Sequence, residues 1–272
     1  MSKIWFITGA SRGLGRSFAE AALGQGDRVV ATARHVDGLQ GLVDNYGDAV
    51  LPLELDVTDK AAVEKAVERA IDHVGPLDVV VNNAGYGLFG AVEEITEHQL
   101  RDQLETNLFG VLFVTQAVLP HLRTKGSGHI IQVSTMGGVM AVPLMGGYHA
   151  SKWALEGLSE SLAREVAGFG ITVTLVEPGP YGTDWAGSSA VRAAPNGVYD
   201  ELRERLEARR SGWTPGNPDA AGQALLEIAN SDDPPLRVFF GTIAPELVRS
   251  AYADRLETWG EWDELAARAQ GN

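Results

Sequence analysis

Tyr148 and Lys152 stand four residues apart in the run Tyr-His-Ala-Ser-Lys. On a helix that spacing puts both side chains on one face. A tyrosine hydroxyl ordinarily titrates near 10, too high for easy proton exchange at neutral pH. A neighbouring ammonium favours the phenolate, and a thousandfold gain in acidity corresponds to roughly 4 kcal/mol of differential interaction. The pair can therefore work as a general acid and base. A packed tyrosine beside a lysine whose stem lies along the helix has the same spacing.

A second cluster lies near the N-terminus, in Thr8-Gly9-Ala10-Ser11-Arg12-Gly13-Leu14-Gly15. It follows a strand-like run and opens a helical one, the context a dinucleotide site requires. Glycines allow a tight turn and let backbone approach a pyrophosphate, while a helix N-terminus offers N–H donors and a favourable dipole. The spacing is Gly-x-x-x-Gly-x-Gly, not the commoner Gly-x-Gly-x-x-Gly. Selectivity is read at the end of the second strand, Ala31-Thr32-Ala33-Arg34. NAD sites place an acid near this point for the ribose 2′-hydroxyl, and none is present. Arg34 and Arg12 instead offer planar forks that suit a phosphate. The expected cofactor is NADP(H).

Positioning these groups requires a scaffold. Short apolar runs at 4–8, 28–33, 50–55, 77–81, 129–134, 172–176 and 237–240 read as strands. Their continuous apolar character suits strands covered on both faces of a parallel sheet. Helical spacing appears at 60–74, 96–122 and 151–167. The alternation predicts βαβ units and an open α/β sheet. The pattern loosens from 180 to 218, long enough to suggest a lid at about 184–213 with one short helix near 198–210. After 244 the chain turns amphipathic, with Leu247, Tyr252, Leu256, Trp259, Trp262 and Leu265 on an expected helical tail (246–272) packed on the body or on a partner subunit.

Composition narrows the function. Lys and Arg total 22 against 36 Asp and Glu, a formal charge of -14, which argues against a general nucleic-acid or anionic-membrane binder. There is no cysteine, so disulfides, thiolate catalysis and cysteine-ligated metals are excluded. No run reaches the ~18 apolar residues of a membrane span, and the N-terminus does not read as a secretory signal. A cytoplasmic protein is the expectation. The six histidines are scattered without ligand spacing, and no metal is expected in the chemistry. His149 reads as a packing residue.

Further motifs follow in order: Asp56-Val57, Asn82-Asn83-Ala84-Gly85, Asn107, Ser134-Thr135, Tyr148-x-x-x-Lys152 and Pro178-Gly179. With the glycine turn, they resemble the short-chain dehydrogenase/reductase family over about 3–245, with flanking sequence closest to members related to 17β-hydroxysteroid dehydrogenases. The resemblance implies a single Rossmann-type domain: a doubly wound, mostly parallel seven-stranded sheet with helices on both faces. It implies NADP(H)-linked hydride transfer between a nicotinamide and a ketone or secondary alcohol.

In that scheme Tyr148 is the general acid/base, Lys152 lowers its pKa and holds the nicotinamide ribose, and Asn107 helps hold a water chain. The family's usual serine, thirteen residues before the tyrosine, is here Thr135, expected to take over as the orienting donor. Strand alternation points Ser134 elsewhere. Gly9, Ser11, Arg12, Gly13, Leu14 and Gly15 would contact the dinucleotide with Arg34. Asp56 and Val57 would flank the adenine, with Asn83, Ala84 and Gly85 on the ribose side. Pro178, Gly179 and Thr183 would meet the nicotinamide end. Tyr86, Met136, Leu144, Met145, Tyr181 and Trp185 are the expected substrate walls, suited to an apolar or aromatic substrate. Arg192, Arg203 and Arg205 read as a solvated helix face. A catalytically slow or inactive NADP(H)-binding regulator is the alternative. Family members commonly pair through helices equivalent to 96–122 and 151–167, so a homodimer or homotetramer is expected.

Overall fold

The computed structural model describes residues 2–271. In chain order the elements are β1 (Ile4–Ile7), α1 (Gly13–Gly24), β2 (Arg28–Ala33), α2 (Gln40–Tyr46), β3 (Val50–Glu54), α3 (Lys60–Val74), β4 (Val79–Asn82) and β5 (Leu88–Phe89). Then come α4 (Glu97–Leu104), α5 (Gly110–Lys125), β6 (Gly128–Val133), α6 (Gly146–Val166), β7 (Ile171–Pro178) and β8 (Val191–Arg192). The chain ends with α7 (Asp200–Arg210), α8 (Pro218–Asn230), β9 (Arg237–Phe240), α9 (Ile243–Glu261) and α10 (Asp263–Ala269).

Seven strands form one parallel sheet in the order β3-β2-β1-β4-β6-β7-β9. Period-two alternation sends the apolar side chains both ways. Trp5, Ile7, Val29 and Ala31 enter the core under α1, α2 and α8. Phe6, Val30, Val80 and Ile130 enter the opposite core under α3, α5 and α6. Both faces are covered, as the continuous apolar runs require. Close helix packing depends on Gly222, where a Cβ would come 2.7 Å from Ser17 O on α1.

Three elements differ from the sequence expectation. The helix expected over 96–122 is divided. Thr96 and Gln99 form a capping box that starts α4, a π turn spans Glu105–Phe109, and α5 continues to Lys125. Helix α6 begins at Gly146 rather than 151, because two glycines conceal its first turn from a periodicity reading. The tail is helical but packs on the body mainly through Ala244 and Val248. Leu256, Trp259 and Trp262 remain exposed, and Arg255 lies over the Trp153 and Tyr252 rings. Among the described residues, no helix is long and apolar enough to cross a membrane.

Candidate active site

Strand β1 neighbours β2 on one side and β4 on the other. Ligands of open α/β sheets bind at such a switch point, beyond the carboxyl ends of the strands. The glycine turn sits there. Gly9 and Gly13 have φ of +67° and +58°, the left-handed region that costs other residues. Asn83 clamps the turn: its Nδ2 donates to Thr8 O at 3.0 Å and Gly9 O at 3.1 Å. Thr8 Oγ1 in return accepts from the Asn83 and Ala84 N–H groups at 2.9 and 3.0 Å. A Cβ on Gly15 would overlap both Asn83 Nδ2 and Gly9 O. No side chain caps the N-terminus of α1. The result is a backbone cradle, held open by glycines at an uncapped helix start, and it fits a pyrophosphate.

The other expected contacts divide around this cradle. Thr183 stands over the turn, its Cβ and Cγ2 3.6 Å from where a Gly13 Cβ would lie. Ser11 packs against Gly38, and Leu14 packs on the core. Arg34, just past β2, is exposed and has no acidic partner among the described residues. Arg12 instead reaches Asp184 at 3.4 Å and Ser188 Oγ at 3.5 Å, joining the cradle to the lid. Asp56 Oδ1 accepts from Thr58 N and Oγ1 at 3.0 and 2.8 Å, and Asp59 caps α3. Val57 is buried against Gly110. Gly179 N donates to Phe240 O at 2.9 Å, tying the end of β7 to β9.

The first turn of α6 carries Tyr148, which is buried. Burial raises the Tyr148 pKa above the ordinary value, and the Thr135 hydroxyl, which favours the ionised form, only partly opposes it. Thr135 Oγ1 also donates to Pro178 O at 3.3 Å. Ser134 faces elsewhere: its Oγ is buried without a partner, next to Glu156 at the Gly138 position. Lys152 Nζ donates to Val133 O at 2.8 Å, and burial lowers its pKa to about 8. Burial outweighs the acidifying effect expected of Lys152, so the net shift of the phenol is upward. Both groups are desolvated, the ammonium is engaged by a carbonyl, and the phenol is held neutral.

Asn107 sits fully buried in the π turn. Its Oδ1 accepts from Tyr86 N at 3.1 Å, and its Nδ2 donates to Tyr86 O at 3.0 Å and Ser151 Oγ at 3.1 Å. Ser151 Oγ donates to Tyr148 O at 2.7 Å. The amide is thus used by protein, fastening the Gly85–Tyr86 loop to α6. A Cβ on Gly85 would lie 3.8 Å from Lys152 Nζ, so loop and lysine are adjacent.

Of the expected substrate walls, the structure brings Met145 and Trp185 to Tyr148, together with Phe89. The Trp185 ring lies 5.0 Å from Tyr148 and 5.5 Å from Phe89. Leu144 adopts φ +65°, unique among described non-glycine residues, with its carbonyl bonded to Gly90 N at 2.8 Å. Met136 lies in the turn beside Thr135. The Tyr181 ring packs instead on Gly216 and the main core. Burial, and then the Asp102 charge, raises the Tyr86 pKa, with Arg34 opposing. His149 packs as expected: Nδ1–H donates to Gly137 O at 2.9 Å and Nε2 accepts from Val142 N at 3.1 Å.

The lid is fastened by short strand pairing and by an ion pair whose acidic partner, Glu94, carries no local sequence signal. β8 pairs with β5, with Val191 N bonded to Gly87 O at 2.9 Å and Ala193 N to Phe89 O at 2.8 Å. Arg203 is an ion-pair partner of Glu94, whose side chain is inaccessible, and of Asp200 at 2.7 Å. The pairing lowers the Glu94 pKa to about 2. Arg192 lies over the Phe89 ring at 4.7 Å. Arg203 is therefore a lid contact and not part of a solvated face, whereas Arg192 and Arg205 are exposed as expected. Only opposite charges at 94 and 203 signal the latch, and 109 residues separate them.

Residues 3–192 match the family described as short chain dehydrogenase. The chain is 44% identical over 271 residues to oxidoreductase BOA17 of Botryotinia fuckeliana, covering 98% of each. A solved short-chain dehydrogenase from Streptomyces avermitilis superposes with a TM-score of 0.93 at 37% identity, covering 98% of each chain. Another, from Burkholderia cenocepacia in complex with NADP, gives 0.75 at 28% identity, covering 96% of this chain and 97% of that one.

Proposed function

Because the chain belongs to the short-chain dehydrogenase family, we propose that it is an NADP(H)-dependent oxidoreductase interconverting a ketone and a secondary alcohol, with Tyr148 handling the proton. The observation that carries this reading is the buried Tyr148 hydroxyl beside Thr135, four residues from Lys152. The glycine cradle fits a dinucleotide, and a nicotinamide bound there would supply the hydride. The remaining work falls to the chain. Thr135 Oγ1 turns its one proton from Pro178 O to the substrate carbonyl oxygen and orients it. Tyr148 OH gives its proton to the same oxygen, and its raised pKa keeps that proton in place at neutral pH. Lys152, largely protonated at pH 7 with a pKa of about 8, stabilises the phenolate left behind. Asn107 positions the loop next to that lysine. Trp185, Phe89 and Met145 exclude water and favour an apolar or aromatic ketone.

An NADPH-oxidation screen over aliphatic and aromatic ketones tests the reading. Turnover of at least one class supports it. Tight NADPH binding with no turnover in any class would favour a regulatory protein on the same fold.

NADP selectivity rests on Arg34 and on the lack of an acid at the end of β2; the Burkholderia cenocepacia neighbour also holds NADP. Arg34→Asp is expected to shift the NADPH/NADH ratio of kcat/KM at least tenfold toward NADH, the equivalent of about 1.4 kcal/mol. An unchanged ratio rejects Arg34 as the phosphate ligand. Thr135→Val is expected to lower kcat/KM by tenfold to a thousandfold, on the scale of a lost oxyanion donor at roughly 10²–10³. Ser134→Ala, which removes a hydroxyl without a partner, is expected to leave kcat/KM within twofold. The opposite pattern would assign the role to Ser134.

A further inference from the structure

Two cations on the inner side of the lid have no acidic partner among the described residues. Arg210 ends α7 and is exposed. Its Nη2 meets only the Met145 thioether, at 3.2 Å, a weak acceptor for a guanidinium. Arg192 gives one N–H to Ala186 O at 2.7 Å and lies over Phe89. The two repel: partial burial first, and then the charge of Arg192, makes Arg210 easier to deprotonate. The Arg210 charge also reaches His149, next to Tyr148. Arg203, on the same helix, shows the contrast, with both Glu94 and Asp200 as partners.

Both side chains reach solvent, and like charges side by side disfavour each other. In a chain with 36 acidic residues against 22 basic ones, two adjacent unpaired arginines are an arrangement that an anion would relieve. Their surroundings fix where that anion sits. Met145 touches Arg210 and also belongs to the cluster of Phe89, Tyr148 and Trp185. An apolar wall therefore runs from the reacting phenol to the paired guanidinium groups.

Resting on the oxidoreductase reading above, we infer that the substrate is a keto compound with an acidic group, a carboxylate or a phosphate, at the end remote from the reacting carbonyl, bound by Arg210 and Arg192. The carbonyl lies at Tyr148 and Thr135. The apolar middle lies on Met145, Phe89 and Trp185. The acid accepts from the two guanidinium forks, whose planar donors match either oxyanion.

The test compares three aromatic ketones: 4-oxo-4-phenylbutanoate, its methyl ester, and the phosphonate 3-oxo-3-phenylpropylphosphonate. Each is titrated calorimetrically into the full-length protein saturated with NADP⁺, so that no turnover occurs. The wild type is expected to bind at least one acid tenfold or more tighter than the ester. Arg210→Met and Arg192→Gln are each expected to reduce that gap to threefold or less without changing ester affinity. A tighter phosphonate marks a phosphate headgroup, and a tighter carboxylate marks a free acid; both support the inference. Equal binding of acids and ester by the wild type overturns it, as does no binding by any probe, or equal weakening of acid and ester in the variants. Reduction of the ester by NADPH is read separately. If the ester is reduced but no acid preference exists, only this inference falls. If an acid binds preferentially and no ketone is ever reduced, the anion site stands and the oxidoreductase reading falls.

Discussion

Tyr148→Phe is expected to lower kcat for ketone reduction by three orders of magnitude, within the roughly 10²–10⁴ that a positioned general acid contributes. The ring remains, so its packing against Trp185 at 5.0 Å is kept. The melting temperature and the dinucleotide Kd are therefore expected to stay near wild type. That separation, lost chemistry with retained binding, distinguishes a proton donor from a merely packed tyrosine. The pH dependence carries a further sign. Reduction needs the protonated phenol, and burial raises the Tyr148 pKa above the ordinary value. Wild-type reduction at saturating substrate is accordingly expected to hold steady through neutral pH, while alcohol oxidation, which needs the phenolate, rises with pH. Activity of the phenylalanine variant within tenfold of wild type would place the proton source elsewhere.

The second large effect lies beneath the site. Glu177 on β7 is 1% exposed. Its pKa is raised to about 8 from 4.5, by burial first and then by the neighbouring Glu156 carboxylate, with Arg237 opposing. Arg237 is shared: Nε meets Glu156 at 2.9 Å and Glu177 at 3.6 Å, and Nη2 meets Glu160 at 2.8 Å. One guanidinium does not offset three carboxylates, so the most enclosed one keeps its proton.

The sign for stability follows from proton counting. Below pH 4.5 the native and unfolded chains both hold the Glu177 proton. Between 4.5 and about 8 the unfolded chain releases it and the native chain retains it, so stability falls as pH rises. At about 1.4 kcal/mol per tenfold difference in proton affinity, the loss amounts to a few kcal/mol. Glu177→Gln removes that loss while keeping the shape. The melting temperature of the variant relative to wild type is expected to rise by roughly 5–10 °C between pH 5 and pH 8, using about 2–4 °C per kcal/mol for chains near this size. His129 and His149 also have lowered pKa values from burial, and their contributions cancel in the difference. A constant difference across that range would show that Glu177 is ionised in the native protein.

Sequence made some of this legible and hid the rest, for physical reasons. The glycine turn and the Tyr148–Lys152 pair are local: short spacings on one element, readable without tertiary structure. The seven core strands declared themselves because both faces are covered and few polar residues interrupt them. The start of α6 at Gly146 was hidden, since glycine carries no helical signal. The paired strands Leu88–Phe89 and Val191–Arg192 are too short for any period to register. Asn83 offered its backbone to the reading, but its side chain is the clamp, because only the folded chain brings it to Thr8 and Gly9. The phenol's environment was hidden for a similar reason. Spacing put an ammonium nearby but gave no measure of how deeply both groups are buried.

The two-residue pairing between lid and body has a thermodynamic consequence. Gly87 and Phe89, which bind the lid, lie within three residues of Tyr86, which Asn107 holds beside Lys152. Arg12 ties the same lid to the glycine turn through Asp184. The walls of the two binding clefts are thus parts of one connected piece of chain. Whatever factor a bound dinucleotide adds to substrate affinity, a bound substrate must add to dinucleotide affinity.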